Sequence, residues 1–388
     1  MPSVPDIVVI GAGVMGASVA WHLASSGCRA VALIDAGASP GEGSTGRATG
    51  GFRAQYATAI NIRLSLLARE KLRRFAEDVG GDCGYHPAGY LWLASTPAEL
   101  LALDEARALQ HAEGLREAHA VTPAEITQLN PAVMPDGIVG GAFCPTDGFI
   151  RPLGILDGYL AAAVRLGARV RWRTRARGLQ RDARGRVTGV RTDREVMACG
   201  AVVNAAGAWA GAVARDCGFE IPVTPLRRQV AVTAPTTALP PDMPMTIFVS
   251  DGFHLRVRDG RVLLLWPTPG VAGAPFDTRV DATWIDDVTA KAHARVPGLR
   301  AVPIDRSGAW AGLYEMSPDK HALLGLAPGE ENLYLINGSS GHGVMHAPAL
   351  GHLLAEMILD GAARTLDVSA LDPGRFAARR PNPVSELL

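Results

Sequence analysis

Gly11, Gly13 and Gly16 stand at GxGxxG spacing near the start of the chain, and Asp35 follows roughly twenty residues on. Together they can hold a dinucleotide. Gly11 permits a tight turn, Gly13 lets the backbone approach a pyrophosphate, and Gly16 lets a helix pack closely on a strand. The phosphate charge then meets the free N–H groups of that helix, around Val14 and Met15. Asp35, with Ala36 after it, ends a second apolar run where a carboxylate can accept hydrogen bonds from a ribose. Two further stretches combine glycine with small hydroxyls: residues 43–51, with Ser44, Thr45, Arg47, Ala48, Thr49 and Gly50, and Gly338-Ser339-Ser340-Gly341-His342-Gly343. Each presents backbone N–H groups with little bulk in the way.

Such residues need elements to aim them. Ile7-Val8-Val9-Ile10 has the length and branching of a buried strand, residues 15–24 favour helix, and residues 30–34 read as a second strand. Strand, turn, helix, strand and terminal acid in that order separate the motif from a chance glycine turn. Residues 60–80 and 97–117 read as amphipathic helices, and Thr122-Pro123-Ala124-Glu125 is a capping box opening a third, so a helical insertion is expected. A helix over 154–166 leads to an alternating strand at 168–174, with 187–191 as its hairpin partner. Ala201-Val202-Val203-Asn204 then flows into Ala205-Ala206-Gly207-Ala208-Trp209, which resumes the nucleotide fold. Between Pro222 and Trp310, short strands (229–233, 253–257, 262–266) predict an antiparallel sheet suited to walling a substrate. A strand at 333–336 runs through the 338–343 turn into a helix over 344–359. The expected division is 1–85, 150–220 and 311–372 for a discontinuous nucleotide domain, 86–149 and 221–310 for a substrate domain, and 373–388 for a surface-hugging or frayed tail.

Composition narrows the classes. At 388 residues the chain is long enough for two domains, and 38 basic against 38 acidic residues leave no field to gather nucleic acid or an anionic membrane. Cys28, Cys83, Cys144, Cys199 and Cys217 are odd in number and form no CxxC pair, which argues against a disulfide framework or a zinc site. A reducing cytoplasm is expected. The apolar start has no basic leader, and no run approaches the ~20 apolar residues of a membrane helix.

An interrupted and resumed nucleotide fold is commoner among flavoproteins than among nicotinamide dehydrogenases. The chain resembles the D-amino-acid-oxidase-like FAD-dependent oxidoreductases, in particular the branch of sarcosine oxidase, dimethylglycine dehydrogenase and the proline dehydrogenase beta subunit. The likeness is carried by the N-terminal fingerprint, by the segment from Gly43 to Arg53, by Asn204 to Trp209, by Met316-Ser317-Pro318-Asp319, and by Gly338 to Gly343. It implies an α/β fold, in which an FAD-binding Rossmann-like domain of the glutathione-reductase-2 type carries a discontinuous antiparallel-sheet substrate domain.

The resemblance also implies roles. FAD would be held by the fingerprint, by the 43–51 loop, by the Ala176 backbone against the adenine, by Ala206, Gly207 and Trp209, and by Gly338, Ser340, Gly341, His342, Gly343 and Met345. The helix after Gly343 would stabilise charge that develops on the reduced ring. The reaction expected is oxidation of a C–N bond alpha to a carboxylate in an amino acid or N-alkylated amine, by hydride transfer to flavin N5, leaving an imine that water hydrolyses. Arg53 occupies the family position for clamping the carboxylate, with a structural salt bridge as the other reading, and Arg256, beside His254, is the reserve. Tyr314 lines the same cavity or sits in the core. His342 is either a packing residue or an acid or base. Where covalent relatives attach FAD through cysteine, this chain has Gly312, so noncovalent FAD is expected. Met345 replaces a lysine of some relatives, which implies a bulkier or more apolar substrate, or one anchored by a single arginine. Oxidation of a hydroxy acid on the same fold, or a flavin-bearing subunit for partner chains, are the other readings; homo-oligomers also fit.

Overall fold

The computed structural model describes residues 6–28, 30–268 and 275–384. Ile7–Ile10 and Val31–Ile34 are buried at every position because they are inner strands of a parallel sheet covered on both faces. Across that sheet the order is Leu323–Leu326, Leu333–Asn337, Ala201–Asn204, Ile7–Ile10, Val31–Ile34 and Arg169–Arg171. All pairs are parallel except the Leu323–Leu326 edge. Asn204 therefore lies between Ile10 and Leu335, three distant parts of the chain brought side by side.

Helices Val14–Ser25, Pro152–Arg165 and Gly343–Asp360 cover one face. Their approach is close: a Cβ on Gly351 would come within 2.2 Å of Ser18 Oγ, and Ser18 Oγ donates to the Ala347 carbonyl at 2.7 Å. The other face is covered by helix Ala210–Asp216 and a small antiparallel sheet, Val196–Ala198, Val187–Thr192 and Ala176–Arg181. The hairpin partner of Val187–Thr192 is thus Ala176–Arg181, not the strand expected at 168–174. Arg169–Arg171 is drawn off instead to the edge of the parallel sheet, where Asp35 N donates to Arg171 O and Thr174 N to Asp35 O.

A second sheet of eight strands runs in the order Trp310–Met316, Thr224–Val232, Arg261–Leu265, His254–Arg258, Met245–Phe248, Tyr90–Ala94, Gly140–Cys144 and His119–Val121. It is antiparallel but for the pair Met245–Phe248 and Tyr90–Ala94. The segment 86–149 is therefore more than a helical insertion: it supplies three of these strands as well as helices Pro97–Ala112 and Pro123–Leu129. The capping box forms, with Thr122 Oγ1 accepting from Glu125 N and Glu125 Oε2 from Thr122 N. Trp310–Met316 pairs along Thr224–Val232, so this strand, at the start of the third expected nucleotide segment, is laid on the second sheet.

Strand alternation gives this sheet two different faces. Leu91, Leu93, Leu255, Val257, Val262 and Leu264 point to a core closed by helix Ala282–Arg295, which the sequence reading did not anticipate. Tyr90, Trp92, Met245, His254, Arg256 and Arg228 alternate with that set and point the other way. The tail is anchored rather than frayed through Asn382: Arg375 is buried, donates from Nε and Nη2 to Asp319 at 2.8 Å, and Asn382 bonds the same carboxylate. Residues 385–388 lie outside the described residues. Among the described residues no helix is long and apolar enough to cross a membrane.

Candidate active site

A cavity of about 1200 Å³ opens between the carboxyl ends of the parallel strands and the second sheet. At its nucleotide end Gly11 has φ +104°, and a Cβ there would strike the Ala205 carbonyl oxygen at 2.4 Å. Gly16 faces away from the cavity and permits helix-on-strand packing, since its Cβ would lie 1.9 Å from Gly11 O. Gly13, Val14 and Met15 line the cavity, and a Cβ on Gly13 would meet only Thr45 Oγ1, at 3.4 Å. The backbone is open there to a ligand. No acidic side chain stands in the first turn of helix Val14–Ser25, so nothing opposes an anion at its N-terminus. Asp35 faces the same space; its Oδ2 accepts from Ala12 N at 2.8 Å and its Oδ1 from Gly37 N at 2.7 Å. Ala36, Ala176, Ala206, Gly207 and Trp209 extend this wall.

The 43–51 loop is held from both sides. Ser44 Oγ donates to Leu313 O at 2.7 Å, Arg47 Nη1 to Ala311 O at 2.9 Å, and Trp310 Nε1 to Arg47 O at 2.9 Å. From the sheet, Arg256 Nη1 donates to the carbonyls of Thr49 and Gly50 at 2.9 and 3.0 Å, and its guanidinium lies 3.6 Å from the Phe149 ring centroid. That corrects its expected role: Arg256 is buried beneath the loop, outside the cavity wall, and cannot clamp a substrate there. Thr45, Ala48, Thr49 and Gly50 line the cavity above it.

At the far end the 338–343 turn uses left-handed backbone at Ser340 (φ +50°) and Gly341 (φ +99°). Gly341 is required, because a Cβ would sit 2.4 Å from the Tyr314 ring that covers it. Gly338 turns away toward Leu323 and does not line the cavity, whereas Ser340, Gly341, His342, Gly343 and Met345 do. Beneath this turn lies Glu315, whose Oε1 accepts from Ser339 N at 3.3 Å. Its carboxyl is pushed up to about 7 by burial, and Oε2 has no partner among the described residues.

Arg53 comes off the end of the loop, buried, with its guanidinium 4.5 Å from the Tyr56 ring centroid and 5.0 Å from that of Trp92. Its Nη2 lies 3.4 Å from His342 Nε2. The backbone just after it is fixed by Asp147, fully buried, which accepts from Ala54 N at 2.8 Å and from Gln55 N and Nε2 at 3.3 Å. Burial pushes the Asp147 carboxyl up to about 6 despite those bonds and the Arg53 charge. Tyr56 donates to Met345 Sδ at 3.1 Å, so Met345 is buried in this wall rather than reaching into solvent. Opposite, His254 lines the cavity with Nδ1 2.8 Å from the Gly252 carbonyl. A carbonyl only accepts, so Nδ1 donates and Nε2 keeps its lone pair. Burial first, then the Arg53 and Arg228 charges, hold His254 down to about 4, neutral at physiological pH. Tyr314 lines the cavity with 37% of its surface exposed, not in the core.

Sequence reasoning missed Asp147, Glu315, Arg228, Tyr56 and Trp92. Asp147 precedes glycine and reads as a surface turn. Arg228 had a signal: it alternates with Val230 and Val232 on one strand. Among the described residues no cluster of three metal-ligating side chains occurs, and none of the five cysteines touches the cavity.

Comparison with known proteins agrees with this geometry. Mouse dimethylglycine dehydrogenase is 28% identical over 96% of this chain, which spans only 44% of that longer protein. Glycine oxidase of Geobacillus kaustophilus is 27% identical, with 91% of this chain and 92% of that one covered. The crystal structure of L-proline dehydrogenase from P. horikoshii superposes with a TM-score of 0.91 at 27% identity, covering 98% of this chain and all of that one. Residues 6–357 match the family described as FAD dependent oxidoreductase (DAO), and the chain belongs to that family.

Proposed function

We propose that this protein oxidises the C–N bond of an amino acid or N-alkylated amino acid. The substrate loses a hydride from the carbon alpha to nitrogen and a proton from nitrogen; the resulting imine takes up water and splits into a carbonyl compound and an amine. FAD, when bound, supplies the two-electron acceptor. The fingerprint turn with Asp35 would hold its nucleotide half, and the 43–51 loop and the 338–343 turn its ring.

The observation that carries this reading is Arg53, buried in the wall of the same cavity between two aromatic rings and beside His342. A planar fork held on three sides can fix a carboxylate bidentately, and with it the position of the alpha carbon. His254 contributes a neutral imidazole with an accepting Nε2 to the same space. It can take a hydrogen bond from the substrate nitrogen and favour the uncharged amine that hydride loss requires. Relatives named for dimethylglycine, glycine and L-proline fit this chemistry. Five free cysteines also suit a reducing compartment such as the cytoplasm. Anaerobic mixing with a panel of amino acids and N-methyl amino acids tests the reading. Bleaching of the flavin absorbance is expected with at least one of them; none bleaching would refute it.

A further inference from the structure

Two adjacent arginines on strand Thr224–Val232 meet opposite circumstances. Arg227 points to the helix side, where it lies 2.6 Å from Asp281 and 3.6 Å from Asp277. Arg228 points to the cavity, which it lines. Among the described residues no carboxylate pairs with Arg228: its Nη1 donates to the Thr268 carbonyl at 2.8 Å, and its guanidinium lies 5.8 Å from the Tyr314 ring centroid. Three acids that share the cavity wall, Asp251, Asp35 and Glu315, are held by other groups. Asp251 is held by Lys291 and Arg295, Asp35 by Ala12 and Gly37, and Glu315 by Ser339. A partly desolvated guanidinium without a counter-charge is costly unless an anion completes it. Burial already depresses its basicity, which marks the loss of water around it. On the cavity face of the second sheet Val230 pairs with Leu265, Leu265 with His254, His254 with Ile247 and Ile247 with Trp92, so Arg228 stands to one side of His254 and Arg53, over the Trp92 ring, to the other, and all three line the same cavity.

Building on the oxidation reading above, we propose that the preferred substrate carries two carboxylates, one held by Arg53 and the second by Arg228, with the oxidisable nitrogen between them near His254. The second carboxylate sits either on the nitrogen substituent, as in iminodiacetate, or on the side chain, as in aspartate. A methyl group in place of that arm would leave Arg228 without its anion.

The test reads binding and oxidation separately on the FAD-loaded protein. Binding is followed through perturbation of the flavin spectrum by unreactive probes: thiodiacetate against (methylthio)acetate, and succinate against propionate. In at least one pair the dicarboxylate should bind roughly ten- to a hundredfold more tightly, as expected for one added charge-assisted contact. Arg228→Gln should erase that preference while leaving the monocarboxylate constant within about twofold, and Arg228→Lys should restore part of it; unchanged FAD absorbance would show that each variant is folded. Oxidation is followed by anaerobic bleaching with iminodiacetate, aspartate, sarcosine and alanine. Equal binding within both probe pairs, or a preference that survives Arg228→Gln, overturns the two-carboxylate site. Should the preference hold and depend on Arg228 while no amine bleaches the flavin, the oxidation reading fails and the binding site stands. Bleaching by sarcosine or alanine as readily as by the dicarboxylates has the reverse meaning.

Discussion

Arg53 Nη2 and His342 Nε2 face each other at 3.4 Å, guanidinium to imidazole, with both side chains buried. A guanidinium can only donate, so Nε2 accepts and the ring proton of His342 sits on Nδ1. Burial, reinforced by the Arg53 charge, holds the His342 imidazole far below its ordinary range and therefore neutral. A neutral imidazole in this place can orient Arg53 by accepting from it.

Arg53→Lys keeps the charge and loses the fork. A slack anchor lets the alpha carbon drift, and a misplacement of about 1 Å can cost on the order of a hundredfold in rate. Flavin reduction by substrate should fall by about that factor, with FAD content and Tm near those of the parent. Loss of FAD instead would assign Arg53 to the cofactor.

Arg256→Leu should act on the cofactor. Removing the donor to the Thr49 and Gly50 carbonyls frees the loop that would cradle the ring, and hydrogen bonds to a charged donor contribute about 1.5–3 kcal/mol. FAD affinity should fall roughly tenfold or more. A normal FAD dissociation constant with impaired substrate binding would return Arg256 to the substrate site.

Glu315→Gln gives a pH signature. In the unfolded chain this carboxyl ionises near its ordinary 4.5, but in the folded protein at about 7, so its contribution to stability is lost as pH rises between those values. The amide does not titrate. In urea unfolding of the holoprotein, the stability of the variant relative to the parent should improve by about 2.5 kcal/mol between pH 5 and pH 8. A difference that does not change with pH would mean that Glu315 ionises normally.

FAD should leave the protein on acid precipitation and give a colourless pellet, because Gly312 and not cysteine stands on the cavity wall. Colour retained in the denatured pellet would show a covalent link.

Much of the nucleotide half was legible because its constraints are local: Gly11, Gly16 and Asp35 act within one strand–turn–helix–strand unit. The place of Arg53 on the cavity wall was legible through family likeness. What stayed hidden depends on partners remote in sequence. Arg256 looked like a substrate ligand until the fold laid it beneath the Thr49 and Gly50 carbonyls, more than two hundred residues away. Ala176–Arg181 replaces the expected hairpin strand, since the parallel sheet competes for Arg169–Arg171 and wins through Asp35 and Thr174. The polar charge of Arg375 concealed a buried anchor for Asp319.

The two-faced second sheet has a consequence for how such a protein diverges. Positions 228 and 254 face the cavity while Leu255, Val257, Leu264 and the helix Ala282–Arg295 hold the strands together on the opposite side. New specificities can therefore arise by single steps on one side of a strand without passing through unfolded intermediates, and descendants with different appetites can share one unbroken scaffold.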